Sequence, residues 1–377
     1  MSANTNASPA PGPGSRIAGL DSIRFACALW VFWSHLGVLE LPAWVDRGSA
    51  LGIAGRFFAA TFANGPSAVI VFFVISGFCI HLPNIRPAGF RIGAHYAQRF
   101  LRILPPMGAA LLLGGFVGAK GLSVSRDTWQ LPTILWSLVA ELVYYALYPA
   151  LRLVAARIGW GALLAASYGL AAAAMMLHPE VKGMQSYGYH LTWLVGLPCW
   201  LLGCLLVGLP CWLLGCLLAE RRAGGIAGPF RGGTVPAWRA AMFVLSAASW
   251  QSLYRGTSLL PTNVFIITLQ GFAVAAYFWL GAEMERFKTM PPPRWLESAG
   301  TWSYSLYLFH ELGRTLWERL PLATPHSTAG VLAASLARMA AILALCWVFH
   351  RLVEAPSHRL ARAVGRRIRQ NDASAGP

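Results

Sequence analysis

Three side chains near the start of the chain are spaced to do chemistry together. The segment LDSIRFACALWVFWSHLG carries Asp21, Arg24 and His35 in an otherwise apolar run. On a helix, the step from Arg24 to His35 is about 1100° of rotation, close to three full turns, and a rise of about 16 Å. Both therefore lie on one face, with Asp21 one turn before Arg24. An imidazole titrates near pH 6.5 and exchanges protons close to neutrality. A guanidinium stabilises a bound or developing anion. The chemistry expected of such a face is proton transfer beside a negative charge. The bland reading is an Asp21–Arg24 ion pair of structural value and a histidine at a membrane interface.

Other polar residues stand in apolar surroundings. Arg99 and Arg102 are one turn apart, a spacing that suits a phosphate as well as it suits a positively charged loop. Glu141 follows Ser137 by one turn, within an apolar run where a lone carboxylate is costly. It is expected to orient His35, to pair with Arg24, or to tie helices together. Ser76-Gly77-Phe78 puts a small-residue step in a Val/Phe-rich segment, which close helix packing explains as well as a site does. His310 faces a cavity or packs as a hydrogen-bonded core histidine. Tyr144 and Tyr145 read as packing residues, and His81, His190 and His350 as interfacial. Arg338 receives no role.

The elements that carry these residues follow from composition. Of 377 residues 56% are hydrophobic and only 12% charged, with a mean hydropathy of +0.53. Soluble domains carry roughly 25% charged residues, so a water-soluble enzyme and a disordered chain are both excluded. Ten apolar runs are long enough to read as membrane helices of about 20 residues. They are roughly 17–39, 66–83, 103–119, 133–151, 159–177, 191–219, 240–254, 261–282, 300–317 and 328–350. The runs are continuous, without the alternation of barrel strands. The fold class expected is all-α, a polytopic transmembrane bundle of about ten helices. Residues 1–16, polar and rich in Pro and Gly, read as a disordered tail, 17–360 as the membrane domain, and 361–377 as a basic cytoplasmic tail.

The net charge of +16 has a topological explanation. With the N-terminus in the cytoplasm, 20 of the 30 Lys and Arg fall in inner segments and 8 in outer loops, Arg24 and Arg338 lying within helices. That bias places both termini inside and removes the need for a nucleic-acid partner. The seven cysteines all lie in apolar stretches, where neither a disulfide framework nor a zinc site is expected. Val195–Leu206 and Val207–Leu218 both read VGLPCWLLGCLL. A shift of twelve residues turns a helix face by about 120°, so the copies cannot line one surface without a kink at Pro198 or Pro210. A recent duplication carried in a long, tilted or broken helix is the expectation.

Six segments in order resemble one family. The pattern LD-x-x-R-x10-H at Asp21–His35 resembles the opening of acyltransferase family 3. GPSAVIVFFVISGF (65–78), YAQRFLRILPP (96–106), ILWSLVAELVYYALYP (134–149), SYSLYLFH (303–310) and VEAP (353–356) resemble its later segments. Ser22, Phe25 and Ala68 depart from its usual pattern, and the duplication has no counterpart in it. The resemblance implies a membrane enzyme moving an acyl group, acetyl by expectation, from acyl-CoA to a hydroxyl of a cell-surface carbohydrate or glycolipid. Acyl-CoA would be a co-substrate and membrane lipid the surroundings, with no resident cofactor, metal or nucleic acid, in the inner membrane. On that footing the catalytic residues expected are His35 as general base, Arg24 and Glu141. Arg24 serves either a thioester oxyanion or the donor phosphates. Arg99, Arg102, Asp21, Ser76 and His310 are the expected substrate-binding residues, the first two anchoring CoA phosphates. The competing readings are a proton-coupled transporter of a small polar solute and a non-catalytic scaffold.

Overall fold

In a computed structural model of the chain, residues 17–36, 48–86, 90–119, 134–177, 196–225, 230–255, 264–321 and 327–374 are described. The 1–16 tail and His190 lie outside these, as do the side chains of the first repeat copy. The described residues contain helices and no strand. They form α1 (Leu20–Leu36), α2 (Ala50–Ala63), α3 (Gly65–His81), α4 (Ile92–Val117), α5 (Leu135–Ile158), α6 (Trp160–Leu177) and α7 (Gly196–Ala223). After these come α8 (Val235–Arg255), α9 (Val264–Arg286), α10 (Arg294–Gly300), α11 (Ser303–Glu318), α12 (Thr328–Phe349) and α13 (Ala355–Ser374). Every predicted apolar run coincides with a helix. Five are long and apolar enough on their own to cross a membrane: Gly65–Asn84, Ile92–Val117, Leu135–Ile158, Val264–Arg286 and Ala329–Asn371. The protein is a multi-pass membrane protein.

α3 is the central post. Apolar on every side, it buries 14 of its 17 residues, as a helix without a polar face must. α1, α7 and α9 pack around it. The contact with α7 is backbone-close because glycines face it. A Cβ on Gly77 would fall on the Trp212 carbonyl oxygen, and one on Gly215 would fall on that of Val74. Backbone, unlike a side-chain tip, cannot swing away. Gly77→Leu should therefore part α3 from α7, and the detergent-extracted variant should lose its single size-exclusion peak. α12 and one face of α4 are at the periphery, where Leu112, Phe116, Leu332 and Leu336 are exposed. In a membrane these side chains meet lipid.

α7 runs through both repeat copies as one helix of 28 residues, about 42 Å long, with no break at Pro210. The second copy packs into the core, with Cys211, Trp212 and Cys216 fully buried. Removing either copy gives the same polypeptide, and the remaining copy keeps its connection to Ala219 and hence to α3. A chain lacking 195–206 should accumulate in membranes like the full-length protein and elute as a single size-exclusion peak, which expression level and chromatography would check.

Two carboxylates from elsewhere in the chain cap helix starts. Glu297 of α10 accepts from the Ser22 backbone N–H at 3.2 Å and from its hydroxyl at 2.6 Å, in the first turn of α1. Glu354 lies in the π-helical turn His350–Glu354 that joins α12 to α13. It accepts from the Ser305 N–H at 3.1 Å and hydroxyl at 2.5 Å, in the first turn of α11. Such N–H groups have no partner within their own helix, and the helix dipole favours a negative charge there.

Prolines inside helices create further ties. A proline at i cannot donate to the carbonyl at i−4. Pro105 frees the Leu101 carbonyl, and Ser357 of α13 donates to it at 2.5 Å. Pro149 frees the Tyr145 carbonyl, and His95 Nε2 of α4 donates to it at 3.1 Å. At Pro105 and Pro149 a neighbouring helix answers the freed carbonyl, which lets the helix continue.

Candidate functional site

The described polar residues gather in two places. The first is a cavity of about 110 Å³ beside the N-terminal end of α1. Arg24 reaches it from α1, Ser76 and Cys79 from α3, and Arg99 and Arg102 from α4. Glu141 and Tyr145 line it from α5, Tyr304 and Tyr307 from α11. The sequence-predicted Arg24, Ser76, Arg99, Arg102 and Glu141 are thus brought together. Asp21 stands behind Arg24, accepting from its Nη1 at 2.9 Å, while Nη2 lies 3.1 Å from the Cys79 sulfur. Glu141 contacts neither Arg24 nor His35; it accepts a short hydrogen bond from the Tyr145 hydroxyl, one turn along α5. Local reach wins because that partner requires no second helix to move. The Tyr145 hydroxyl also lies 3.0 Å from that of Ser76. Tyr145, read from sequence as a packing residue, is therefore part of the cavity wall.

Charge in this cavity is unbalanced. Asp21 is engaged by Arg24 and Glu141 by Tyr145. Neither Arg99 nor Arg102 forms a direct ion pair among the described residues, although Glu141 lines the same cavity and attracts Arg99, and Arg99 Nε is buried without a hydrogen-bond partner. An unmatched buried cation is costly, and an anionic ligand relieves that cost.

The second place lies further along α1. His35 and His310 meet across α1 and α11, with His35 Nδ1 at 2.7 Å from His310 Nε2 and the rings stacked at 5.0 Å. His310 is buried and His35 half-exposed. The tautomers follow from one acceptor. His310 Nδ1 donates to the Leu306 carbonyl at 2.9 Å. In the neutral pair its Nε2 then accepts from His35 Nδ1–H, which leaves the lone pair of His35 on Nε2. Glu311, which the sequence reading passed over, places Oε1 at 3.6 Å from His35 Nδ1. Its Oε2 takes Arg314 at 2.8 and 3.0 Å. Ligand atoms of His35, His310 and Glu311 all lie within 4.8 Å of one another, close enough to share a divalent ion as well as a proton. Neither histidine lines the cavity. The expected seam from Arg24 to His35 is two separate stations, both touched by α11 through Tyr307 and His310.

Several other expectations change. His81 is not interfacial but buried, with Nε2 donating to Glu220 at 2.7 Å and Nδ1 at 2.9 Å from the Tyr148 hydroxyl. It ties α3 to α5 and α7. His350 faces Glu354 at 2.9 Å. Arg338 pairs with Glu318 at 3.5 Å. Residues 361–374, set apart from sequence as a tail, continue α13 as helix.

No curated protein and no solved structure matches the chain. The family described as an acyltransferase domain, acyltransferase family 3, matches residues 17–351. That span takes in the cavity, the histidine pair and every helix that shapes them as far as α12, so the chain belongs to acyltransferase family 3 and is a membrane acyltransferase.

Proposed function

We propose that the protein transfers an acyl group, acetyl in the simplest case, from acyl-CoA to a hydroxyl of a cell-surface carbohydrate or glycolipid. The observation that carries this reading is the cavity wall, where Arg99 and Arg102, neither in a direct ion pair among the described residues, outnumber the single carboxylate of Glu141. A donor bearing phosphates supplies that match. In this reading the bundle has about ten spans in the inner membrane, both termini are cytoplasmic, and the cavity opens toward the cytoplasm. The half-exposed His35 faces the outer side, where the acceptor waits.

His35 is the general base. Its Nε2 takes the acceptor hydroxyl proton as the oxygen attacks the thioester carbonyl. The carbon–sulfur bond then breaks, and the proton returns to the departing CoA thiolate. His310 and Glu311 hold the ring and stabilise the imidazolium, as a base and its orienting groups do elsewhere. Arg24 is available to the carbonyl oxygen or to the donor phosphates. The donor arm must pass from the cavity along α11, beyond Tyr307, to reach His35. The transporter reading is not favoured by the family to which the chain belongs.

The test uses membranes carrying the protein, labelled acetyl-CoA and the host's surface polysaccharide and glycolipid. Label should enter one of these, and its mass should rise by one acyl group relative to cells lacking the gene. Absence of any acyl difference would end the proposal.

A further inference from the structure

The cavity is smaller than the roughly 300–1,000 Å³ of sites that enclose a drug-sized ligand. It can take the acyl-bearing arm of a large donor, so the donor's nucleotide must lie outside it. α13 packs on α4, the helix that brings Arg99 and Arg102 to the cavity. It is fastened to α4 beside the cavity arginines by the Ser357 hydroxyl on the Leu101 carbonyl. Two turns further on, Gly365 leaves room for the Gln98 side chain, and the Gln98 amide oxygen, oriented toward it, accepts from Arg369 at 2.8 and 3.1 Å. This places His358, the residue after Ser357, in electrostatic contact with Arg102, Arg362, Arg99 and His350. Glu354, the carboxylate just before α13, is spent on Ser305 and His350, which leaves Glu141 as the acidic neighbour of Arg99. Arg99, Arg102 and Arg362 have no ion-pair partner among the described residues. Four positively charged or protonatable groups from two helices thus converge against the single nearby carboxylate of Glu141.

We propose that α4 and α13 form a phosphate-binding subsite at the mouth of the cavity, in which His358 and Arg362 join Arg99 and Arg102 to hold the phosphates of the donor's nucleotide. This rests on the acyl-CoA reading above and extends it to a helix beyond the matched residues 17–351. His358 and Arg362 are one turn apart on the same face of α13, so they approach a single ligand. Arg367 is exposed, half a turn away from His358 around the helix axis, and serves as the control.

The experiment measures calorimetric binding of CoA and of 3′-dephospho-CoA to the full chain in detergent. The wild type is compared with Arg362→Gln, His358→Gln and Arg367→Gln. Hydrogen bonds to charged groups contribute about 1.5–3 kcal/mol each, which corresponds to roughly 10–100-fold in Kd. The expected result is a loss of CoA affinity of about tenfold or more in Arg362→Gln and His358→Gln, with Arg367→Gln unchanged. The wild type's preference for CoA over the dephospho form should shrink in the same two variants. Equal CoA affinity in all four proteins would overturn the subsite and leave the acyl-CoA reading standing. No CoA binding by folded wild type would remove both. Retained CoA affinity, with weaker binding of Arg362→Gln to phosphatidylglycerol vesicles, would overturn it by assigning the arginine to lipid headgroups. All four proteins should elute as one size-exclusion peak, and a variant that does not is replaced by Arg362→Lys or His358→Asn.

Discussion

Membranes carrying His35→Ala should transfer acyl groups at least about 100-fold more slowly than wild type, at unchanged protein level. A positioned general base contributes typically 10²–10⁴-fold, and the alanine removes the imidazole whose Nε2 carries the available lone pair. The ring is half-exposed, so its loss leaves no large void and the fold should persist. His310→Gln and Glu311→Gln give the graded comparison. Each leaves His35 in place but removes a partner that sets its tautomer or steadies its positive form, so each should slow transfer by less than His35→Ala does. Full activity in His35→Ala would refute the base assignment. Activity restored to a metal-stripped preparation by a divalent ion would redirect the three residues from proton transfer to metal binding.

The second large effect is expected at the cavity. Arg99→Gln combined with Arg102→Gln should lower kcat/KM for acetyl-CoA by about 100-fold or more, given about 1.5–3 kcal/mol for each charged hydrogen bond lost. The loss should appear mainly in KM, since these groups hold the donor far from the reacting carbon. A short acyl-pantetheine donor without nucleotide phosphates separates binding from chemistry. Its slower reaction should change little between wild type and the double variant. An equal fall with both donors would place the arginines at the thioester itself. Glutamine keeps much of the side-chain length, and neither arginine is in a direct ion pair among the described residues, so the fold should persist, which a single size-exclusion peak would check.

What was legible in the sequence were features local to one helix. The Asp21–Arg24 pair follows from three residues of spacing and is present at 2.9 Å. The apolar runs mark every long apolar helix because lipid imposes a length on them. α2, α10 and α13 were not marked, and for physical reasons. α2 is a 14-residue apolar helix and α10 has only 7 residues, both short of a membrane crossing. α13 is rich in arginine and so lacks a continuous apolar run, and it packs on α4. Contacts between distant parts of the chain were beyond spacing arguments. His35 and His310 are 275 residues apart, and nothing in either segment names the other. Glu354 belonged to a short motif, yet its task depends on a π-helical turn that aims it at the start of α11. Glu141 failed differently. The Tyr145 hydroxyl was within its own helix's reach, but a search for charged partners looked past it.

Pro105 has a consequence for how the mouth of the cavity is maintained. An alanine there would return an N–H to the ladder, and α4 alone would gain, since proline is about 3 kcal/mol less favourable than alanine in a helix interior. The Leu101 oxygen would then be answered from within α4, and the Ser357 hydroxyl would lose its mooring. A self-sufficient α4 would thus release the arginine-rich end of the chain from its berth. The imperfection in one helix is what keeps the other at its post.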